Sequence, residues 1–534
     1  MNKTSTFILA GLAAAFALAT LPARAETAPE PAAQSAAQPA AQPAAQPAAP
    51  AASQAASQAA QQPVEQAAVQ AAVQPIQPAA PSPEQALIER GRYLAVASDC
   101  MACHTAARGK PMAGGNAITS PVGEIIATNI TPSKRFGIGN YTEAQFADAL
   151  RRGVRADGAN LYPAMPYTAY SVLTDEDVHA LYAYFMKGVQ PVEQATAETR
   201  LPFPMNIRMS MKAWNALFLN DKPLPPAPER SQQWLRGRYL AEGPAHCSTC
   251  HTPRGFLMQE KLSLQLSGAQ VGPWYAPNIT PHPVSGIGAW SNDELVAYLK
   301  TGRLEGKAQA AGSMAEAITH SFSHLSNDDL RAIAVYIKDR PPVADAGAEQ
   351  HRTRFEQGKA GNALPALRGL SADPTSAEEV RGARIFSGSC ASCHGYNGQG
   401  TKDGYYPSLY RNSATAGVNA NNLIATILYG VERETEHGGH VFMPPFGDQP
   451  NALNKLNNED VAALSNYILK FYGNPDVKVS AADVETIRQG GPRSNLLLLA
   501  RIGMGLGAVV VLLLLLFLLL ATRRKRHNPE SDWK

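Results

Sequence analysis

Polar caps followed by apolar residues at three-and-four spacing occur three times along the chain. Thr174-Asp175-Glu176-Asp177 leads into Val178, Leu181, Tyr182 and Phe185. Ser326-Asn327-Asp328-Asp329 leads into Leu330, Ile333, Tyr336 and Ile337. Asn457-Asn458-Glu459-Asp460 leads into Val461, Leu464, Tyr467 and Ile468. A side-chain oxygen that accepts from the first free amides, with acids in the first turn, starts a helix, and the spacing puts its apolar residues on one face. Gly188, Pro341 and Gly473 stand at or just past the three ends, where a helix stops readily.

Each pattern closes a longer repeat. Gly91-Arg92-Tyr93-Leu94, Gly237-Arg238-Tyr239-Leu240 and Gly382-Ala383-Arg384-Ile385-Phe386 predict short opening helices, in which the glycine lets another helix approach closely. The first two repeats also share Asn129-Ile130-Thr131-Pro132 with Asn278-Ile279-Thr280-Pro281, and Gly137-Ile138-Gly139 with Gly286-Ile287-Gly288. Helices are expected to follow near Glu143–Arg152 and Asn292–Thr301. One mainly α-helical unit used three times fits this self-similarity, over residues 83–195, 230–343 and 376–475.

The flanks have another character. Lys3, the apolar run Phe7–Leu21 and Ala23-Arg24-Ala25 read as a secretory leader over residues 1–25; the short apolar run argues against a retained anchor. Residues 26–82 form a low-complexity Ala/Pro/Gln tract with few large apolar groups, too few to offset the entropy of ordering. Near the other end, Ile502–Thr522 carries no charge, and about 21 residues at ~1.5 Å each cross a hydrocarbon core of roughly 30 Å. A buried core helix is the alternative, but Arg523-Arg524-Lys525-Arg526 follows at once. Positive charge stays cytoplasmic, so the reading is one C-terminal transmembrane helix at 501–522, a juxtamembrane segment at 476–500, a basic tail at 523–534 inside, and the body in the periplasm.

The six cysteines change the picture most. All fall in Cys100-Met101-Ala102-Cys103-His104, Cys247-Ser248-Thr249-Cys250-His251 and Cys390-Ala391-Ser392-Cys393-His394. Cys-x-x-Cys-His is the c-type haem attachment signature: two thiols form thioethers to the vinyl groups, and the next residue offers its imidazole to the iron. A redox dithiol or a zinc site would not need His directly after the second Cys. The expected cofactors are three covalent haem c, with Cys100, Cys103, Cys247, Cys250, Cys390 and Cys393 as attachment points and His104, His251 and His394 as proximal ligands. Met165 in Tyr162-Pro163-Ala164-Met165-Pro166-Tyr167 and Met443 in Phe442-Met443-Pro444-Pro445-Phe446 are the expected distal ligands, since an adjacent proline stiffens the loop that aims the sulfur. In the second unit Met314 is the expected ligand, with His320 and His324 as competitors. The Asn-Ile-Thr-Pro turn either bonds a haem propionate or is simply a structural turn.

Two stretches join the units. Residues 196–229 are unusually apolar for a linker, with Phe203, Met209, Trp214 and Leu217 among them; they either pack across unit faces or dock on a subunit or membrane. Residues 344–375 are more polar. The formal charge of +3 includes Lys3 and Arg24 of the leader, and nothing in it suggests nucleic acid.

Together the three haem motifs, the Asn-Ile-Thr-Pro turns, the Met-Pro loops and His251-Thr252-Pro253-Arg254-Gly255-Phe256 resemble a known family: the three-haem cytochrome c subunits of membrane-bound periplasmic dehydrogenases of acetic acid bacteria and relatives. The resemblance covers Pro83 to Gly473. It implies a mainly α fold of three tandem class I cytochrome c domains plus one C-terminal transmembrane helix. It also implies a large dehydrogenase catalytic subunit as partner, oxidising alcohols or aldehydes in the leading reading, with ubiquinone in the inner membrane as acceptor. No catalytic residue for substrate oxidation is expected in this chain, which has no dinucleotide fingerprint after a strand. A haem enzyme such as a peroxidase, and a free-standing relay to a terminal oxidase, are the alternative readings.

Overall fold

The computed structural model describes residues 81–345, 376–435 and 439–526. The expected leader, nearly all of the Ala/Pro/Gln tract, most of the 344–375 linker and the end of the basic tail lie outside the described residues.

The three capped patterns are helices at Asp175–Ala183, Asn327–Lys338 and Asn458–Tyr472. Thr174, Ser326 and Asn457 accept from the amides of Asp177, Asp329 and Asp460. Helices Glu143–Arg152 and Asn292–Thr301 also form, each begun by a reciprocal pair, Thr142 with Gln145 and Ser291 with Glu294. The opening helices are Pro83–Ala97, Gln232–Glu242 and Ala377–Ile385, and each packs against its unit's closing helix. A methyl group at Gly91, Gly237 or Gly382 would collide with the carbonyl of Ala180, Ala332 or Ala463. The glycines therefore set the depth of all three crossings.

Among the described residues three hydrophobic cores result. Leu94, Phe146, Leu150 and Leu181 are in the first; Leu240, Leu295, Ile318 and Ile333 in the second; Phe386, Ile424, Leu464 and Ile468 in the third. The third core runs past residue 475. Helix Ala481–Arg488 lies in the stretch read as a juxtamembrane segment, and it buries Val484 and Ile487 in that core beside Val479. Helix Asn421–Tyr429 is a further element without a sequence expectation. Four two-stranded antiparallel ladders decorate the described helices. One of them pairs Val431–Glu434 with His440–Met443, placing Val431 opposite Met443.

The first two units meet reciprocally. Tyr93 donates to Asp329 across the join at 2.6 Å, and Tyr239 donates to Asp177. Each carboxylate is also held by an arginine of its own unit: Asp177 by Arg90 at 2.5–2.9 Å, Asp329 by Arg236 at 2.7–2.8 Å. Units two and three meet differently. Asn422 bonds the amide and carbonyl of Tyr275 at 2.9 and 2.8 Å, Asn421 donates to Gln270 at 2.7 Å, and Arg433 donates to the Thr301 carbonyl.

One helix among the described residues, Leu496–Arg526, is long and apolar enough to cross a membrane. None of its apolar window is buried, which counts against a core helix. It begins earlier than residue 501, because Leu496–Leu499 extend the apolar face.

Candidate functional site

The Cys-x-x-Cys-His segments are one-turn helices, Cys100–His104, Cys247–His251 and Ala391–His394. The first two follow a residue in the left-handed region, Asp99 and His246. The third follows a wide turn, Phe386–Cys390, that continues from the opening helix. One turn puts both thiols on one side of the segment, with the histidine at its end. Cys100, Cys247 and Cys390 each lie against their own unit's core.

The three histidines share a second contact. The Nδ1 of His104 lies 2.7 Å from the Thr128 carbonyl, that of His251 2.6 Å from Pro277, and that of His394 2.9 Å from Pro407. A ring that donates from Nδ1 presents an unprotonated Nε2, the tautomer an iron requires, and the carbonyl fixes its plane. Burial holds all three imidazoles below their ordinary value despite these bonds, which favours the neutral ligand form. Each histidine's carbonyl in turn accepts at 2.7 Å from a glycine amide, Gly114, Gly268 or Gly400. All three glycines have positive φ, a conformation that suits glycine.

These carbonyls explain the Asn-Ile-Thr-Pro turn. Thr128 and Pro277 immediately precede Asn129 and Asn278. Asn129 accepts from the Thr131 amide and hydroxyl, and both of its amide hydrogens go to the carbonyls of Val192 and Gln194. Asn278 accepts likewise from Thr280, and its amide hydrogens go to the Val343 carbonyl and the Asp345 carboxylate. Both side-chain amide hydrogens of each asparagine are thus engaged within the protein. The turn anchors the carbonyl that orients His104 in unit one and His251 in unit two.

The thiols argue against a redox dithiol. Burial pushes Cys100, Cys103, Cys247 and Cys390 up to about 12, whereas a reactive pair needs a lowered value. Among the described residues no group of three His, Cys, Asp or Glu side chains is placed to hold a metal ion. Half-buried thiols, a neutral histidine and an apolar wall fit covalent haem c.

The methionines come from three different local structures. Met165 sits in a turn after Tyr162, Met314 near the start of helix Gly312–His320, and Met443 at a strand end. Each is half-buried against the core that holds its own unit's motif cysteine. His320 lies six positions beyond Met314, roughly 9 Å along the helix axis. His324 Nε2 bonds the Thr319 carbonyl at 3.0 Å. The Gly312–His320 helix also packs against Cys100–His104 of unit one and Val431–Glu434 of unit three.

Residues 379–471 match the family described as cytochrome c, and residues 86–185 match cytochrome c oxidase, cbb3-type, subunit III. The chain is 47% identical to the fructose dehydrogenase cytochrome subunit of Gluconobacter japonicus, over 81% of this chain and 89% of that protein. It is 38% identical to the alcohol dehydrogenase (quinone) cytochrome c subunit of Komagataeibacter europaeus, over 77% and 86%. It is also 38% identical to the gluconate 2-dehydrogenase cytochrome c subunit of Pantoea cypripedii, over 76% and 90%.

Proposed function

Because the chain belongs to the family of cytochrome c subunits of fructose, alcohol and gluconate dehydrogenases, we propose that it carries electrons from a large periplasmic catalytic subunit to membrane ubiquinone. Its cytochrome c domains imply covalently bound haem c. The proposed number is three, in three tandem class I domains. Cys100/Cys103, Cys247/Cys250 and Cys390/Cys393 would form the attachments, and His104, His251 and His394 together with Met165, Met314 and Met443 would supply the ligands to the irons. Bound haem c supplies reversible one-electron chemistry. The chain's part is to hold each imidazole neutral and oriented, to keep water from the iron with the three cores, and to keep the centres close.

The observation that carries this reading is the Gly312–His320 helix, on which Met314 lies and which packs against both the motif helix of unit one and the Met443 hairpin of unit three. Unit two is then the middle of a relay. The body faces the periplasm, Leu496–Arg526 spans the inner membrane, and the tail is cytoplasmic, by the basic run after the apolar one.

The proposed partner oxidises an alcohol or aldehyde, and the 47% identity to a fructose dehydrogenase subunit places sugars beside them in the screen. Purification from detergent-solubilised membranes should yield a large dehydrogenase subunit, reduction of a ubiquinone analogue on adding substrate, and a mass gain of three haems. Isolation of this chain alone, active toward a terminal oxidase, would overturn the partner assignment. Carbon monoxide binding without denaturant would instead support a haem enzyme with an open iron. For the ligand assignment, Met314→Ala should shift the potential of one haem alone; no shift would remove Met314.

A further inference from the structure

Residues 203–218 set Met211, Trp214, Asn215 and Phe218 half-buried against the body and still leave other large apolar side chains outside. Asn215 accepts from the Tyr167 hydroxyl at 2.8 Å and donates to the Arg152 carbonyl at 3.2 Å. Trp214 donates its indole N–H to the Leu257 carbonyl at 2.9 Å. On the outer side Met209 is 67% exposed, Leu217 69% and Phe203 54%, with Ile207 exposed as well. Helix Ser210–Phe218 buries no residue. An outer side that met only water would not carry so many large apolar side chains. The Trp214 bond also joins this stretch to a loop of unit two on which Phe256 and Leu262 are exposed.

The position of the patch indicates what covers it. Arg501 Nε donates to the Phe203 carbonyl at 3.0 Å. Arg501 immediately precedes the charge-free run Ile502–Thr522, the level at which a spanning helix passes from the headgroups into hydrocarbon. The Phe203 backbone is therefore tied to the membrane boundary. The stretch from Arg200 to Lys222 carries Arg200, Arg208, Lys212 and Lys222 against Asp221 alone. Basic groups interleaved with outward apolar side chains suit a segment lying in the interface of an anionic bilayer.

We propose that residues 203–218, with Phe256 beside them, form a second membrane contact. It lies in the headgroup region of the leaflet that the C-terminal helix enters, and it seats the first two units on the bilayer instead of leaving them to swing on the helix. This rests on the reading of Leu496–Arg526 as a spanning helix, and the experiment separates the two. The haem-loaded full chain is reconstituted in phosphatidylethanolamine–phosphatidylglycerol vesicles containing a phospholipid with a carbene-forming group high on its acyl chain. After irradiation, lipid adducts are mapped by peptide mass spectrometry. Adducts are expected within 203–218 and at Phe256 as well as at the ends of 502–522. Met209→Ser/Leu217→Ser should lower the 203–218 yield several-fold while leaving the 502–522 yield unchanged. Adducts on 502–522 with none on 203–218 would overturn the second contact and keep the span. No adducts on 502–522 would overturn the span reading itself. Protection of 203–218 from lipid by a co-purified catalytic subunit would overturn the proposal in favour of a protein partner.

Discussion

Units one and two are joined by charge, units two and three by amides, although the same helical unit stands on both sides of each join. At the first join Asp177 and Asp329, 4% and 9% exposed, each receive an arginine from their own unit and a tyrosine from the other. The contact is its own mirror: Tyr93 does to unit two what Tyr239 does to unit one. At the second join the partners are unlike on the two sides, and the bonds of Asn422 and Asn421 involve no titrating group. The cations that cross it meet backbone carbonyls: Arg433, 3% exposed, donates to Thr301, and Arg303 donates to Asp403 at 2.9 Å. A join built on carboxylates depends on pH and is costly to break by halves, while one built on amides is neither.

The largest effect is expected from Asp329→Ala, which strands the buried end of Arg236 and the Tyr93 hydroxyl together. Hydrogen bonds to charged groups contribute about 1.5–3 kcal/mol each, reduced here because Arg236 is partly exposed, so a loss of about 2–3 kcal/mol is expected in denaturant unfolding. A loss no larger than that of Asn422→Ala would erase the distinction between the joins. Tyr93→Phe and Tyr239→Phe should each cost about 1–2 kcal/mol, and by reciprocity nearly the same amount. A clear inequality between the two would break the symmetry argued above.

Acid should act on the first join alone. Burial pushes the Asp329 carboxyl up, but the bonds from Arg236 and Tyr93 outweigh it and hold the group below its ordinary 3.8. A depressed carboxylate stabilises the fold above its unfolded value, and that contribution fades as pH falls through the lower folded value. The Tyr93 hydroxyl is raised above 10.0 by burial and by Asp329, so its contribution is complete below pH 10.0 and fades as pH rises toward the folded value. Stability measured against pH should therefore drop below about 3.8 and above about 10 in the wild type, and the acid limb should flatten in Asp329→Asn. An unchanged acid limb would remove the carboxylate from the account.

At the second join, Asn422→Ala should cost about 1 kcal/mol. Arg433→Met should have the smallest effect, near neutral or mildly stabilising, because an apolar side chain of similar length avoids burying a cation that has no carboxylate partner among the described residues. A loss above about 3 kcal/mol would show that Arg433 has an anionic partner in the loaded protein.

The haem motifs and helix caps were legible in the sequence because each is local. Cys-x-x-Cys-His places its groups within one turn, and Thr174, Ser326 and Asn457 cap amides three residues on. The glycines of the opening helices could be read as close approaches, though the carbonyls they meet could not. Helix Ala481–Arg488 was missed although Ser480 and Asp483 cap it reciprocally, since its short apolar face shows its purpose only once the third core is assembled. The role of Asn-Ile-Thr-Pro stayed open because the acceptor it positions is a backbone carbonyl, which every residue has and no letter marks.

Sequence alone determined the chemistry each segment can hold and where helices begin, because those depend on residues within a turn of one another. The tertiary structure decided which carbonyl orients each histidine and which tyrosine reaches which carboxylate. It also decided which face of residues 203–218 looks outward. Tyr93 and Asp329 are 236 positions apart, and a bond over that separation exists only after two cores have closed and been set against each other.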